Sequence, residues 1–281
     1  MKKKRKTPMG EVICMLIMMV VVLLTLLPLI KVLVTSVSEW VPNGLTFHVE
    51  KLYLGKYELF LKSERTIQIM KNSLFVTVVG SVFGTVISVL GGYVLAQKEL
   101  PGRGVLSAMV FGTILFHGGI VPTYLVVKNL GLLNTLWSVI LTGTVNVMYI
   151  FYLKSIFEQV PQNFADAARV DGANERVVFW NIVLPTTKPA ISMVFLMYVV
   201  QFWNEYANYR IYITKGALYN WQMAIKGYEE SLDDLICGAG PFPSEVDLCV
   251  RIVLSMIPVL VFVFAFNKCF NQVLEPGREK K

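Results

Sequence analysis

Charge is scarce in this sequence. Asp, Glu, Lys and Arg make up 16% of its 281 residues, where a soluble domain carries about a quarter, and they sit between long apolar runs rather than alternating with them. That distribution excludes a water-facing surface wrapped around one buried core and points to lipid. Histidine is nearly absent, with His48 and His117 far apart, and the four cysteines form no cluster with metal-ligand spacing. The sequence contains no G-x-x-x-x-G-K-[ST] phosphate loop, so a nucleotide-driven process would need another chain to hold the nucleotide. These gaps leave no catalytic residue and no metal site to assign, and the reading is of a non-enzyme.

The excess of basic residues, a formal net charge of +7, does not indicate nucleic acid. A nucleic-acid footprint is a basic stripe on a folded face, whereas here Lys and Arg flank apolar runs, where they set orientation in a membrane. The opening MKKKRK precedes an apolar run from Val12 to Ile30 that lacks a small-residue cleavage site and exceeds a signal peptide's short core. It reads as a retained first span.

A membrane-crossing helix needs about 20 mostly apolar residues. Six stretches qualify: Val12–Val34, Ser73–Leu95, Val105–Val127, Leu133–Tyr152, Pro189–Asn208 and Leu248–Phe270. The last has a short charge-free core, Ile252 to Phe266, which Arg251 and Lys268 can lengthen by snorkelling. The expected fold is all-α, a multi-pass membrane domain over 12–270 between cytoplasmic ends at 1–11 and 271–281, with outer loops at 35–72 and 209–247. With both termini inside, 15 Lys and Arg fall on the inner side and nine on the outer, as the positive-inside rule requires. Gly80, Gly84 and Ser88 share one face of the second span, a spacing that permits close helix packing.

The longest inner loop, 161–188, does not read as a linker. Asn163 can cap a helix over Phe164–Val170 whose small face carries Ala165, Ala167 and Ala168, and Gly172 can take the left-handed conformation that ends it. Asn174 can cap a second helix running to Leu184, stopped by Pro185, after which Thr187 would cap the fifth span with Pro189 in its first turn. A short alanine-faced helix fixed to membrane spans is suited to another protein's groove.

This loop, DAARVDGANERVVFWNIVLP over 166–185, resembles the signature of binding-protein-dependent ABC importer permeases: Glu-Ala-Ala, three residues, Gly, nine residues, Ile, one residue, Leu-Pro. Ala167, Ala168, Gly172, Ile182, Leu184 and Pro185 stand at the family's spacing, with Asp166 in place of Glu. NSL (72–74), YVLAQKELPGR (93–103), GGIVPTYLVVKNLGLLNT (118–135) and WNEY (203–206) extend the likeness along the chain. They are similar to maltose-type carbohydrate permeases, and most to those that pair with polysaccharide or aldotetraouronate lipoproteins.

The resemblance implies six transmembrane helices with a cytoplasmic coupling helix, through which Asp166, Ala167, Ala168, Arg169 and Gly172, with Leu184 and Pro185 closing the motif, pass an ATPase's closure to the spans. It also implies the partners: a second homologous permease, two ATPase subunits that bind ATP and Mg, and an extracellular sugar-binding lipoprotein, all at the cell membrane. The chain ends QVLEPGREKK rather than in the family's glycine-rich tail, so its end is expected to lie solvated near anionic lipid. The loop signature is shared by importers of other solutes. A stand-alone secondary transporter would instead place ionisable residues at the membrane midplane, and here Lys31, Glu205 and Arg251 lie towards span ends.

Two groups are candidates for the substrate path. Trp203, Asn204, Glu205, Tyr206 and Tyr209 have the residue types that bind sugars, through aromatic faces, amides and a carboxylate, although the same residues would serve an aromatic belt at the interface. His117, Gly118 and Gly119, with Pro122 beyond them, weaken the third span, which fits either a kink beside the path or close packing. In the related maltose permease an external loop enters the binding protein, a role open to 220–243 here, beside that of a docking surface. Cys237 and Cys249 are both expected on the outer side, where a disulfide can persist, and Cys14 and Cys269 are expected to be packing residues.

Overall fold

The computed structural model describes residues 9–38, 52–116, 118–161, 168, 170, 172–227 and 245–274. The chain forms two compact units, one from 1–63 with 225–257 and one from 64–224 with 258–281.

In the first unit, helix α1 (Met9–Ser36) exposes every side chain from Val12 to Ile30, as an apolar span does when lipid or another protein is its surroundings. Helix α2 (Gly55–Lys62) follows, in a stretch expected to be loop. Tyr57 donates from its hydroxyl to Ser36 Oγ at 2.8 Å, and Lys56 pairs with Asp247 at 2.9 Å. Asp247 lies on the last helix, Glu245–Leu274, whose first part belongs to this unit. That helix runs unbroken through Pro258 and is longer than the short sixth span expected. Cys14 is exposed rather than packed, and Cys249 is buried; Cys237 lies outside the described residues.

The second unit is built on helix α3 (Glu64–Ala96), which begins nine residues before the expected span. Its composition is inverted relative to a soluble helix. The buried side carries Thr77, Gly80, Ser81, Gly84, Thr85, Ser88 and Gly92, while Phe75, Val82, Phe83, Val86 and Leu90 are exposed. Lipid is as apolar as a leucine core, so helices associate through small residues that let backbones approach. Three of the buried hydroxyls donate along their own helix, Ser73 to Ile69 O at 3.0 Å, Ser81 to Thr77 O at 2.5 Å and Thr85 to Ser81 O at 2.7 Å, whereas Thr77 Oγ1 has no hydrogen-bond partner among the described residues. Gly80 and Gly84 lie under the rings of Phe202 and Tyr198, so the expected glycine seam is spent on packing within the chain.

Spans three and four are not continuous helices. The third is α4 (Arg103–Leu115) and α5 (Ile120–Asn129), bent by 110° across 116–119, with Gly119 at φ +86°. The expected weakness at the glycine pair is thus a break. The fourth is α6 (Leu136–Thr144) and α7 (Val147–Glu158), bent by 44° at Val145–Asn146, which nothing in the span pattern announced. Among the described residues, four single helices are long and apolar enough to cross a membrane, and six spans result when each bent pair counts as one.

The fifth span departs from expectation at its start. Pro185 does not stop a helix and Thr187 does not cap one. A short α-turn (α8, Glu175–Val178) runs into a π-helical turn, Phe179–Val183, and then into α9, Leu184–Trp203. Proline removes one backbone donor and crowds the carbonyl four residues back. The wider turn, in which Leu184 N–H reaches Phe179 O, lets the helix continue past it. Thr186 and Thr187 donate instead to the carbonyls of Ile182 and Val183 at 2.6 and 2.7 Å.

Candidate functional site

The inner loop between spans four and five carries the first candidate site. Asp166, Ala167 and Arg169, and Asn163 with most of the expected helix, lie outside the described residues; Ala168 and Val170 are helical. Gly172 has φ +84°, and Ala173 N–H donates to Ala168 O at 2.9 Å. This six-residue closure around a left-handed glycine is the Schellman ending of a helix. Asn174 then opens the next helix, its side chain accepting from Val177 N–H at 3.0 Å, as expected from sequence. Asn174→Ala should lower stability by about 1 kcal/mol, read as an earlier thermal unfolding midpoint of the purified protein in detergent.

This turn is fastened to the spans. Val178, Phe179 and Val183 are buried, and Ala168 and Ala173 pack against the same core. Tyr93 of α3 meets the Phe179 ring at 4.6 Å and the Phe157 ring of α7 at 6.1 Å, while its hydroxyl donates to Glu175 Oε2 at 3.1 Å. Three elements therefore converge on one aromatic joint. Val170, by contrast, is 87% exposed, and Trp180 is also exposed. Leu184 is half-buried at the start of α9, and Pro185 beside it is exposed.

The second group lies at the far end of α9. Trp203 and Tyr209 are fully buried, Glu205 and Tyr206 are half-buried, and Asn204 is exposed. Glu205 Oε1 accepts from Asn208 N–H at 3.0 Å, at the start of α10 (Ala207–Tyr212). Asparagine side chains pin the segment that follows. Asn72 donates to the carbonyls of Ala217 and Tyr219 at 2.9 and 3.1 Å. Asn134 Oδ1 accepts from Thr214 N–H, Thr214 Oγ1 and Lys215 N–H at 2.7, 2.9 and 3.1 Å. Asn220 bridges Glu205 O and Met223 N–H. The described start of the expected outer loop is thus folded structure; 228–244 lies outside the described residues. Gly118 and Gly119 sit at the break in span three, away from this group in the chain, and His117 between α4 and α5 lies outside the described residues.

Sequence reasoning missed a third group, at the break in span four. Tyr198 directs its hydroxyl to Thr144 O at 2.9 Å, accepts from Asn146 N–H at 3.2 Å, and contacts Ser88 Oγ at 2.8 Å. Gln201 Nε2 donates to Gly143 O at 3.0 Å, and its Oε1 lies 3.4 Å from Asn146 Nδ2. The backbone groups freed by the break are met by side chains of α9, the condition under which non-helical backbone persists in a membrane. The signal was present in two amides, Asn146 and Gln201, inside apolar runs.

This architecture, a broken-helix membrane domain with a short glycine-turned helix fixed to one end, is that of an ABC importer membrane subunit. The chain superposes with a TM-score of 0.82 on a subunit of a bacterial ABC transporter involved in the import of the acidic polysaccharide alginate, covering 95% of this chain and 98% of that one at 24% identity. In sequence it is 32% identical over 258 residues to the polygalacturonan/rhamnogalacturonan transport system permease protein YtcP of Bacillus subtilis (strain 168), covering 88% of this chain and 90% of that one. It is 31% identical over 266 residues to Protein LplC of the same organism, covering 92% and 90%. No protein-family model matches the chain. The chain belongs to the permease family of carbohydrate ABC transporters, and it is a multi-pass membrane transport subunit.

Proposed function

We propose that this permease carries oligosaccharide, of the polygalacturonan/rhamnogalacturonan class named for its relative YtcP, across the cell membrane as half of a two-permease channel. Two ATPase subunits holding ATP and Mg drive it from the cytoplasm, and an extracellular binding lipoprotein delivers the sugar. Both termini of the chain lie in the cytoplasm. The observation that carries this reading is the Gly172–Asn174 turn clamped at Tyr93, with Val170 projecting away from the core. Ala168 packs inward and Val170 points outward, so one short helix has a face for the spans and a face for the motor. A push on that helix reaches α3, α7 and α9 through Phe179 and Phe157 without being absorbed by loop. Asp166, Ala167 and Arg169 are assigned to the contact with the motor, and Asn204, Glu205 and Tyr206 to the path of the sugar.

The test is ATP hydrolysis by the reconstituted complex with its binding protein. Short galacturonate or rhamnogalacturonate oligosaccharides are expected to stimulate hydrolysis; stimulation by none of them, with amino acids or phosphate active instead, would overturn the sugar assignment. Val170→Glu should weaken motor docking by about 1.5–3 kcal/mol, the worth of one fully buried aliphatic side chain. Co-purification of the ATPase should fall and sugar stimulation should disappear, while the thermal unfolding midpoint stays near wild type.

A further inference from the structure

The midpoints of three expected spans, 73–95, 133–152 and 189–208, fall at or beside Gly84, Gly143 and Tyr198, the residues that meet around the break in span four. The break therefore lies within the apolar spans rather than in a connecting loop. There the two amides keep unused hydrogen-bonding capacity. A carboxamide offers two N–H donors and an oxygen with two lone pairs. Gln201 spends one donor on Gly143 O, and Asn146 Oδ1 accepts from Met148 N–H at 3.1 Å, with one long contact between the two amides. Both residues are half-buried rather than enclosed, and Val145 and Met148 beside Asn146 are exposed.

A partly exposed amide with a spare donor is costly against hydrocarbon, by about 2–7 kcal/mol, and polar groups within spans face water or protein. Exposed positions on α3, such as Val86 and Leu90, carry nothing of the kind. The side chains around the break hold no charge, and their spare amide donors and acceptors suit the hydroxyl groups that every sugar unit carries. Discontinuous helices at the midplane are also where transporters commonly bind their cargo.

We infer that Asn146 and Gln201 line the aqueous passage at mid-membrane and hydrogen-bond the hydroxyls of the passing oligosaccharide, with Val145 and Met148 forming the adjoining wall. This rests on the sugar-importer reading and assigns its mid-membrane contact to residues outside the 203–209 group.

The test uses the assembled transporter in liposomes, with native cysteines replaced by serine and single cysteines at Val145, Gln201, Val86 or Leu90. The charged thiol reagent methanethiosulfonate ethylsulfonate should label Val145→Cys and Gln201→Cys to completion and leave Val86→Cys and Leu90→Cys unlabelled over the same time. The galacturonate oligosaccharide that stimulates ATP hydrolysis, delivered by the binding protein, should slow labelling at both reactive positions. Inert thiols at 145 and 201 would overturn the proposal, and so would labelling that the stimulating sugar leaves unchanged. Val145→Cys touches none of the bonds that hold the break, so the test survives if Gln201→Cys fails to assemble. Should no oligosaccharide stimulate hydrolysis, the sugar reading fails and the sugar contact with it, whereas complete labelling would still place the two amides on the passage.

Discussion

Tyr198→Phe is expected to destabilise the permease by roughly 2–3 kcal/mol, at the upper end of the cost of stranding buried hydrogen-bonding groups. One hydroxyl serves Thr144 O, Asn146 N–H and Ser88 Oγ, so its loss strands backbone groups at a break where no neighbouring turn can take them up. Interhelical hydrogen bonds in membranes average only about 0.6 kcal/mol, because alternatives are usually found. Here the partners are main-chain atoms fixed by the ends of α6 and α7, which is why the larger figure applies. Ser88→Ala removes just one of the three contacts and should cost under about 1 kcal/mol. Unfolding of the two variants side by side in detergent checks the difference; equal, small shifts would show that the break does not depend on this hydroxyl.

Gly92→Val is expected to have a comparable or larger effect, by a different mechanism. A Cβ at Gly92 would stand 3.0 Å from Leu153 Cβ and Lys154 N and 3.1 Å from Ile150 O. Two of those atoms are backbone of α7 and cannot rotate away, so α3 and α7 must separate. Overpacking of this kind costs about 1–3 kcal/mol, and it falls next to Tyr93 and Phe157, so coupling should suffer with stability. Gly112, with open space where its Cβ would be, is the control: Gly112→Ala should leave expression and unfolding unchanged. The measurement is the yield of assembled complex and its sugar-stimulated ATP hydrolysis.

Most of the membrane architecture was legible from the sequence because lipid makes one demand, a long and mostly apolar run, and few charges interrupt the runs. The turn at Gly172 and the cap at Asn174 were legible for the same kind of reason, since each is set by one residue's local chemistry. The helix that continues through Pro185 was not, because a π-turn over Phe179–Val183 overrode the local rule for proline. The break at Val145–Asn146 was hidden because neither of its two residues is glycine or proline, and Gly143 before it fits a helix closely packed in lipid equally well. What permits it is Tyr198 and Gln201, more than fifty residues away in sequence. Trp203 and Tyr209 had the residue types of a sugar site, yet residue type says nothing about exposure, and both are fully buried.

The claim on which the mechanism turns is that the short helix before Gly172 seats against the ATPase. A photo-crosslinking benzophenone on Val170→Cys, irradiated in the complete transporter and analysed by mass spectrometry, addresses it directly. The account predicts an adduct to the ATPase subunit that is lost when that subunit is stripped from the membrane. Adducts confined to lipid, or formed with the extracellular binding protein, would contradict it.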